Sequence, residues 1–116
     1  MKLPNAGRAL VEREKITEYL LNAEHSDNGG KARFFTAMGF RRDDWAALAA
    51  AFRSLALGSV AVQRLDSTHG EKYLVDGHIK SPSGRMPRVR TVWIVEPGQD
   101  APRLVTAYPR EEGEAL

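Results

Sequence analysis

The apolar positions change period once along the chain. Up to Gly58 they recur every three or four residues, and beyond it they tend to alternate. In VEREKITEYLLN (11–22), Ile16, Tyr19 and Leu20 form one helix face. The preceding LPNAGRAL carries Pro4 and Gly7 and predicts a lead-in, with a short edge strand at Arg8–Val11. NAEHSDNGG is turn chemistry throughout and ends the first helix. KARFFTAMGF predicts a short second helix stopped at Gly39. RRDDWAALAAAFRSLALG predicts a third, with Asp43 or Asp44 as its cap and Gly58 at its end. Its apolar stripe is Trp45, Leu48, Ala49, Phe52, Leu55 and Ala56.

After Gly58, SVAVQRLDS, EKYLVDGHIKS, RVRTVWIVE and RLVTAYP read as four strands, joined by THG, SPSGRMP and PGQDAP. Connections this short join antiparallel neighbours. The expected fold is α+β, with three N-terminal helices packed on a four-stranded antiparallel β-meander, leaving the far sheet face open. One domain accounts for residues 1–116: a helical part to 57, the sheet over 58–109 and an acidic tail, 110–116.

Composition narrows the function. The 116 residues include no cysteine, which excludes a disulfide framework, a thiolate nucleophile and a Cys-based metal site. MKLPNAGRALVEREK lacks the apolar core of a signal peptide, and WAALAAAF is too short to span a bilayer. The expectation is a cytoplasmic protein with no membrane association. A net charge of +2 argues little. Its distribution says more. Residues 28–42 carry Lys31, Arg33, Arg41 and Arg42 with no acid, and residues 77–95 carry Lys80, Arg85, Arg88 and Arg90 with no acid. If these stretches meet, they make a phosphate-sized field; otherwise they are two solvated faces.

The histidines (His25, His69, His78) are scattered, and no P-loop, dinucleotide fingerprint or nucleophile elbow is present. No metal or cofactor is expected. Metal-free acid–base and phosphate chemistry remains. Cleaving RNA through its own 2′-hydroxyl needs a base, an acid and cations for the charge building on phosphorus. His25 is the first candidate for the proton, because imidazole titrates near neutrality. Lys31 opens a helix, where a cation opposes the macrodipole, and that small cost suggests another role. Gly29 and Gly30 allow a backbone reversal that carries His25 over Lys31 at the helix start. Ordinary readings stand beside these. His25 can be a loop histidine capping a carbonyl, Lys31 can be solvated, and Arg33 can pair with Glu24 or Asp27. Thr91 and Trp93 share one strand face, where Trp93 suits a core; Arg88 and Arg90 share the other. Thr106 and Tyr108 share a face of the last strand.

Three separated blocks carry a resemblance: LPNA, EYLLNAEHSDNGGKARFF and TVWIVEPGQDAPRLVTAYP. They resemble a small bacterial domain family reading LPNA…YLLNPEHP…G-x-KA…F…PRLVT-x-Y, found alone and at the C-terminal ends of polymorphic, contact-dependent toxins. NAEHS stands where that family usually has NPEHP, and the EEGEAL tail is additional. The toxin context and the helices-then-strands order are similar to the barnase, EndoU, colicin and RelE ribonuclease superfamily. The resemblance implies a metal-independent endoribonuclease-like toxin domain, or an inactive relative that binds RNA. It implies His25, Lys31, Thr106 and Tyr108 as catalytic candidates, with Arg33 and Arg103 holding phosphate; the acid-free stretch 77–95 adds Arg88 and Arg90 as candidates for holding phosphate or nucleic acid. The alternative is a protein-binding module: a toxin–antitoxin partner, or a phage-borne, anti-CRISPR-like inhibitor of a bacterial defence complex. The expected partner is accordingly RNA or an acidic protein. Convergence of His25, Lys31, Thr106 and Tyr108 in one cleft favours the enzyme.

Overall fold

The computed structural model describes residues 1–28 and 30–114. A 3₁₀ turn, Ala6–Arg8, precedes α1 (Arg13–Lys15), which runs directly into a π-helical turn over Ile16–Leu20. The Leu21 N–H donates to the Ile16 carbonyl at 2.8 Å and closes that wide turn. Then come α2 (Lys31–Ala37), a 3₁₀ turn at Arg42–Asp44 and α3 (Trp45–Gly58). The strands are β1 (Val62–Ser67), β2 (Gly70–His78), β3 (Arg88–Val95) and β4 (Arg103–Pro109). They pair in chain order, each antiparallel to the next. Three helices followed by an antiparallel meander is the architecture the change of period predicts.

Three local expectations are corrected. The first helix is shorter than residues 11–22, because the chain before it is held against the sheet. The Leu10 N–H donates to Pro102 O at 2.8 Å and Leu10 O accepts from Leu104 at 2.9 Å, an isolated parallel bridge to Arg103. That bridge is all that forms of the expected edge strand, since Ala6–Arg8 is taken by the 3₁₀ turn. Neither aspartate caps α3 through its side chain. Asp43 is drawn instead to Arg41, at 2.8–2.9 Å through two bonds.

The register places Tyr73, Trp93 and Leu104 on one sheet face, with Val75, Thr91 and Ala107 beside them. All six are buried, together with Leu48, Ala49, Phe52, Leu55 and Ala56 of α3. Trp45 is half-buried at the margin of this core. The indole of Trp93 donates to Thr91 Oγ1 (2.8 Å), which donates to the Val75 carbonyl (3.0 Å), so Trp93 is a satisfied core residue. A Cβ on Gly77 would meet Leu55 Cγ at 3.3 Å, which shows how closely α3 lies on β2.

One irregularity decides which way the polar residues of β4 face. Val92 pairs with Thr106 but Trp93 pairs with Leu104, so the register shifts by one residue at Val105. In a regular strand Thr106 would share the buried face of Leu104. The bulge turns Thr106 and Tyr108 to the opposite face, beside Arg90 and Val92.

Candidate functional site

The loop between the π-turn and α2 is organised by Asn28, which is 4% exposed. Its amide nitrogen donates to the Asn22 carbonyl and, at 3.5 Å, towards Tyr19 O. Its side-chain oxygen accepts the Gly30 N–H at 3.1 Å, and its carbonyl accepts the Lys31 N–H at 2.9 Å. Gly30 then enters α2 at φ 90°, a left-handed conformation that a side chain would strain. The expected reversal at the glycine pair is therefore present at Gly30; Gly29 lies outside the described residues.

The reversal points Lys31 back at the first helix and across to the sheet. Its ammonium donates to Tyr19 OH at 2.5 Å and to Thr106 Oγ1 at 3.0 Å. The two hydroxyls are themselves 3.1 Å apart. The ammonium also sits 4.9 Å from the centroid of the Tyr19 ring and 6.0 Å from that of Tyr108. His25 packs edge-on against Tyr19, with ring centroids 5.0 Å apart at 71°. So His25, Lys31, Thr106 and Tyr108 converge, and Tyr19 lies at their centre. The ammonium meets no carboxylate within ion-pair distance among the described residues. It is a half-buried positive charge answered only by neutral hydroxyls.

That setting acts on Tyr19. Burial alone would raise the phenol's pKa. The hydrogen bonds from Lys31 and with Thr106, and the charges of Lys31 and Lys15, outweigh burial and hold it below its ordinary 10.0. Proton positions follow from counting. Lys31 donates to both oxygens, so one hydroxyl proton bridges the gap and the other faces outward. On His25, Nδ1 accepts the Asp27 N–H at 3.0 Å, so the neutral ring carries its proton on Nε2.

The arginines divide differently. Arg33 is exposed on α2, one turn-step from the cluster, and makes no ion pair within 4 Å among the described residues. Arg103 is held by Glu96 (3.0 Å) and Glu12 (3.4 Å), on the far side of the bulge. Arg88 and Arg90 both bind Asp76 on the open sheet face. Arg90 is kept charged by that bond, assisted by Tyr108 beside it. The two acid-free stretches do touch, since the Ser83 N–H donates to Met38 O at 3.0 Å. Arg41, Arg42, Arg88 and Arg90 nevertheless find acidic partners elsewhere, so their charge is not pooled there. His78 meets Glu112 at 2.7 Å and His69 lies in the exposed β1–β2 turn, both away from the cluster.

Tyr19 and Asn28 are the residues that pattern reading passes over. Tyr19 fits the apolar stripe of its helix, and only its hydroxyl distinguishes it from the leucine beside it. Asn28 looks like one more turn residue. Its burial depends on contacts with Asn22 and Tyr19 that no local pattern reveals. The π-turn bearing Tyr19 is the one structural flag, since such turns are rare and frequent at functional sites.

Among the described residues no three His, Asp or Glu side chains gather as a metal-binding group, and no helix is long and apolar enough to cross a membrane. Comparison with curated proteins finds no match. One chain of a solved structure, described as a contact-dependent growth inhibition toxin – immunity protein complex from Klebsiella pneumoniae 342, is similar in fold. The TM-score is 0.74 at 17% identity, over 91% of this chain and 97% of that one. The family model described as a domain of unknown function, DUF6883, matches residues 2–111, and the chain belongs to that family.

Proposed function

We propose that the domain is a toxin-type endoribonuclease that cleaves RNA by attack of the 2′-hydroxyl on the adjacent phosphorus, without a metal. The observation that carries this reading is the Lys31 ammonium, bonded to Tyr19 and Thr106 and without a carboxylate partner among the described residues. Two of its three N–H bonds are used there, and the third is left for a phosphate oxygen. In the reaction the 2′-oxygen bonds to phosphorus, the 5′-oxygen leaves, and a 2′,3′-cyclic phosphate and a 5′-hydroxyl result. Lys31 offsets the charge that develops on the phosphorane. Tyr19, its phenol made more acidic by Lys31, takes the 2′-hydroxyl proton as the phenolate and returns it to the departing 5′-oxygen. His25 donates through Nε2–H to a non-bridging oxygen. That role suits the Asp27 bond to Nδ1 better than proton transfer by the ring itself. Thr106 fixes the two partners, and the Tyr108 ring lines the approach.

A second reading draws on the fold neighbour, whose description names both a toxin and an immunity protein. In that reading the exposed cations bind an acidic protein partner.

The test is purified wild type on labelled RNA, with EDTA present. Cleavage giving cyclic phosphate ends, and blocked by 2′-deoxy substitution at the scissile nucleotide, supports the enzyme. His25→Ala and Thr106→Val should each slow it with little change in thermal unfolding. Failure on varied RNAs, with tight binding to an acidic protein, would move the assignment to the binding module.

A further inference from the structure

The open sheet face carries a second group of cations. Asp76 is 1% exposed. It receives Arg90 through Nε (2.7 Å) and Nη2 (3.1 Å), and Arg88 through Nη2 (3.2 Å). Arg110 Nε lies 3.5 Å from the same carboxylate. One bidentate guanidinium satisfies a buried carboxylate. Arg88 and Arg110 therefore bring positive charge beyond what Asp76 requires.

The acidic tail answers that excess. Glu114 reaches Arg110 Nε at 3.2 Å, and Arg88 Nη1 donates to the Glu111 carbonyl at 2.8 Å. Glu112 meets His78 at 2.7 Å. Glu114 also accepts the Glu111 N–H at 2.8 Å, which closes the tail into a turn over the arginines. The cover is thin: the Glu112 and Glu114 side chains are 71% and 40% exposed, while those of Arg88 and Arg110 beneath are 14% and 16%.

The cluster adjoins the Lys31 site. Arg90 is the register partner of Tyr108, and the Arg110 N–H donates to Arg88 O at 2.9 Å, continuing β4 past its end. Tyr108 and Arg110 lie two residues, about 7 Å, apart along the strand. A strand whose scissile phosphate sits at Lys31 would thus pass over Tyr108 towards these guanidiniums.

We propose that Arg88, Arg90 and Arg110 form a second phosphate subsite for the RNA strand, and that the acidic tail covers it as an internal competitor, with the Glu114 carboxylate on Arg110, the Glu111 carbonyl on Arg88 and Glu112 anchored at the neighbouring His78. This rests on the RNA reading above. The tail carries negative charge at high effective concentration and needs little affinity to compete.

The test separates binding from cleavage by using a 2′-O-methyl oligoribonucleotide, which cannot be cut. Its affinity is measured by fluorescence anisotropy for three full-length proteins. They are the wild type, a tail variant (Glu111→Gln, Glu112→Gln, Glu114→Gln) and a control with the same charge change elsewhere (Glu14→Gln, Asp66→Asn, Asp100→Asn). The tail variant should bind about 5- to 10-fold tighter than the control at low salt, with the difference shrinking as salt rises. Adding Arg110→Ala should abolish the difference, because the Glu114 carboxylate then loses the guanidinium it meets. Equal binding by the tail variant and the control overturns the proposal, as does a gain that survives Arg110→Ala, or no binding by any of the proteins. Cleavage of ordinary RNA by the wild type with no tail effect overturns this proposal and leaves the nuclease reading standing. A tail effect without cleavage keeps the subsite and removes the nuclease.

Discussion

Replacing Lys31 by methionine keeps the aliphatic stem and removes the charge. The ammonium makes two hydrogen bonds, to Tyr19 and Thr106, and approaches two tyrosine rings. The hydroxyls it leaves are 3.1 Å apart and satisfy each other, so no buried polar group is stranded. The stability change should therefore stay within about 1 kcal/mol. The catalytic change should be larger. A unit charge about 4 Å from a phosphorane oxygen interacts by about 4 kcal/mol at an effective dielectric of about 20. Solvent reaches this half-buried group and reduces the effect to about 2–3 kcal/mol, which is a rate loss of about 30- to 150-fold. Single-turnover cleavage of a labelled oligoribonucleotide gives the rate, and urea unfolding gives the stability. A rate within about threefold of wild type would refute the role of the ammonium. Destabilisation beyond about 3 kcal/mol would instead make Lys31 a structural residue.

Other outcomes follow from the same geometry. Tyr19→Phe should slow cleavage about 100-fold or more, and should delete a tyrosine ionisation below 10.0 from the ultraviolet titration. Because the folded chain releases the Tyr19 proton first, wild-type stability should rise with pH between the lowered value and 10.0, a gain absent from Tyr19→Phe and from wild type below that window. Asn28→Ala opens the loop's internal bonds and should cost about 2–3 kcal/mol, with the His25 ring signals shifting in NMR as its packing on Tyr19 loosens. Asp76→Asn leaves the surrounding guanidiniums without their buried counter-charge; denaturation should show a loss of about 3 kcal/mol or more, and under about 1 would contradict this account. Arg64→Ala removes only exposed pairs with Asp66 and Glu71, so stability should move by no more than about 1 kcal/mol and cleavage should be unchanged.

Much of the fold is legible along the chain because its signals are local. Gly58 divides two periods, and short Gly- and Pro-containing turns force antiparallel neighbours. The helix stripe reads correctly at Leu48, Phe52 and Leu55 because a helix buries one face whatever lies opposite. Legibility fails where long-range contacts override local preference. The Leu10 bridge to Arg103 shortens the first helix, and the pull of Arg41 removes Asp43 from capping. Lys31, His25, Thr106 and Tyr108 can be nominated from side-chain chemistry and a familiar motif. Their convergence cannot, because it depends on the bulge at Val105 that turns Thr106 outward. The acidic partners of Arg88, Arg90 and Arg103 are not legible in sequence, because no helix or strand periodicity pairs them with Asp76 and Glu96.

The cluster also ties the two halves of the chain together. Tyr19, His25 and Lys31 come from the helical part and Thr106 and Tyr108 from the last strand, 75 residues beyond Lys31 in the case of Thr106. Neither half holds the ammonium in place alone. The π-turn presents Tyr19, Asn28 fixes the loop, and the bulge delivers Thr106. Each is a departure from regular structure, and each would be unfavourable without the contacts it makes to the others. The π-turn also buries Ile16 and Leu20 in the core, but packing does not account for a Lys31 ammonium without a carboxylate partner among the described residues at the point where these irregularities meet. They are what a site needs when a cation and two hydroxyls must be set before the substrate arrives.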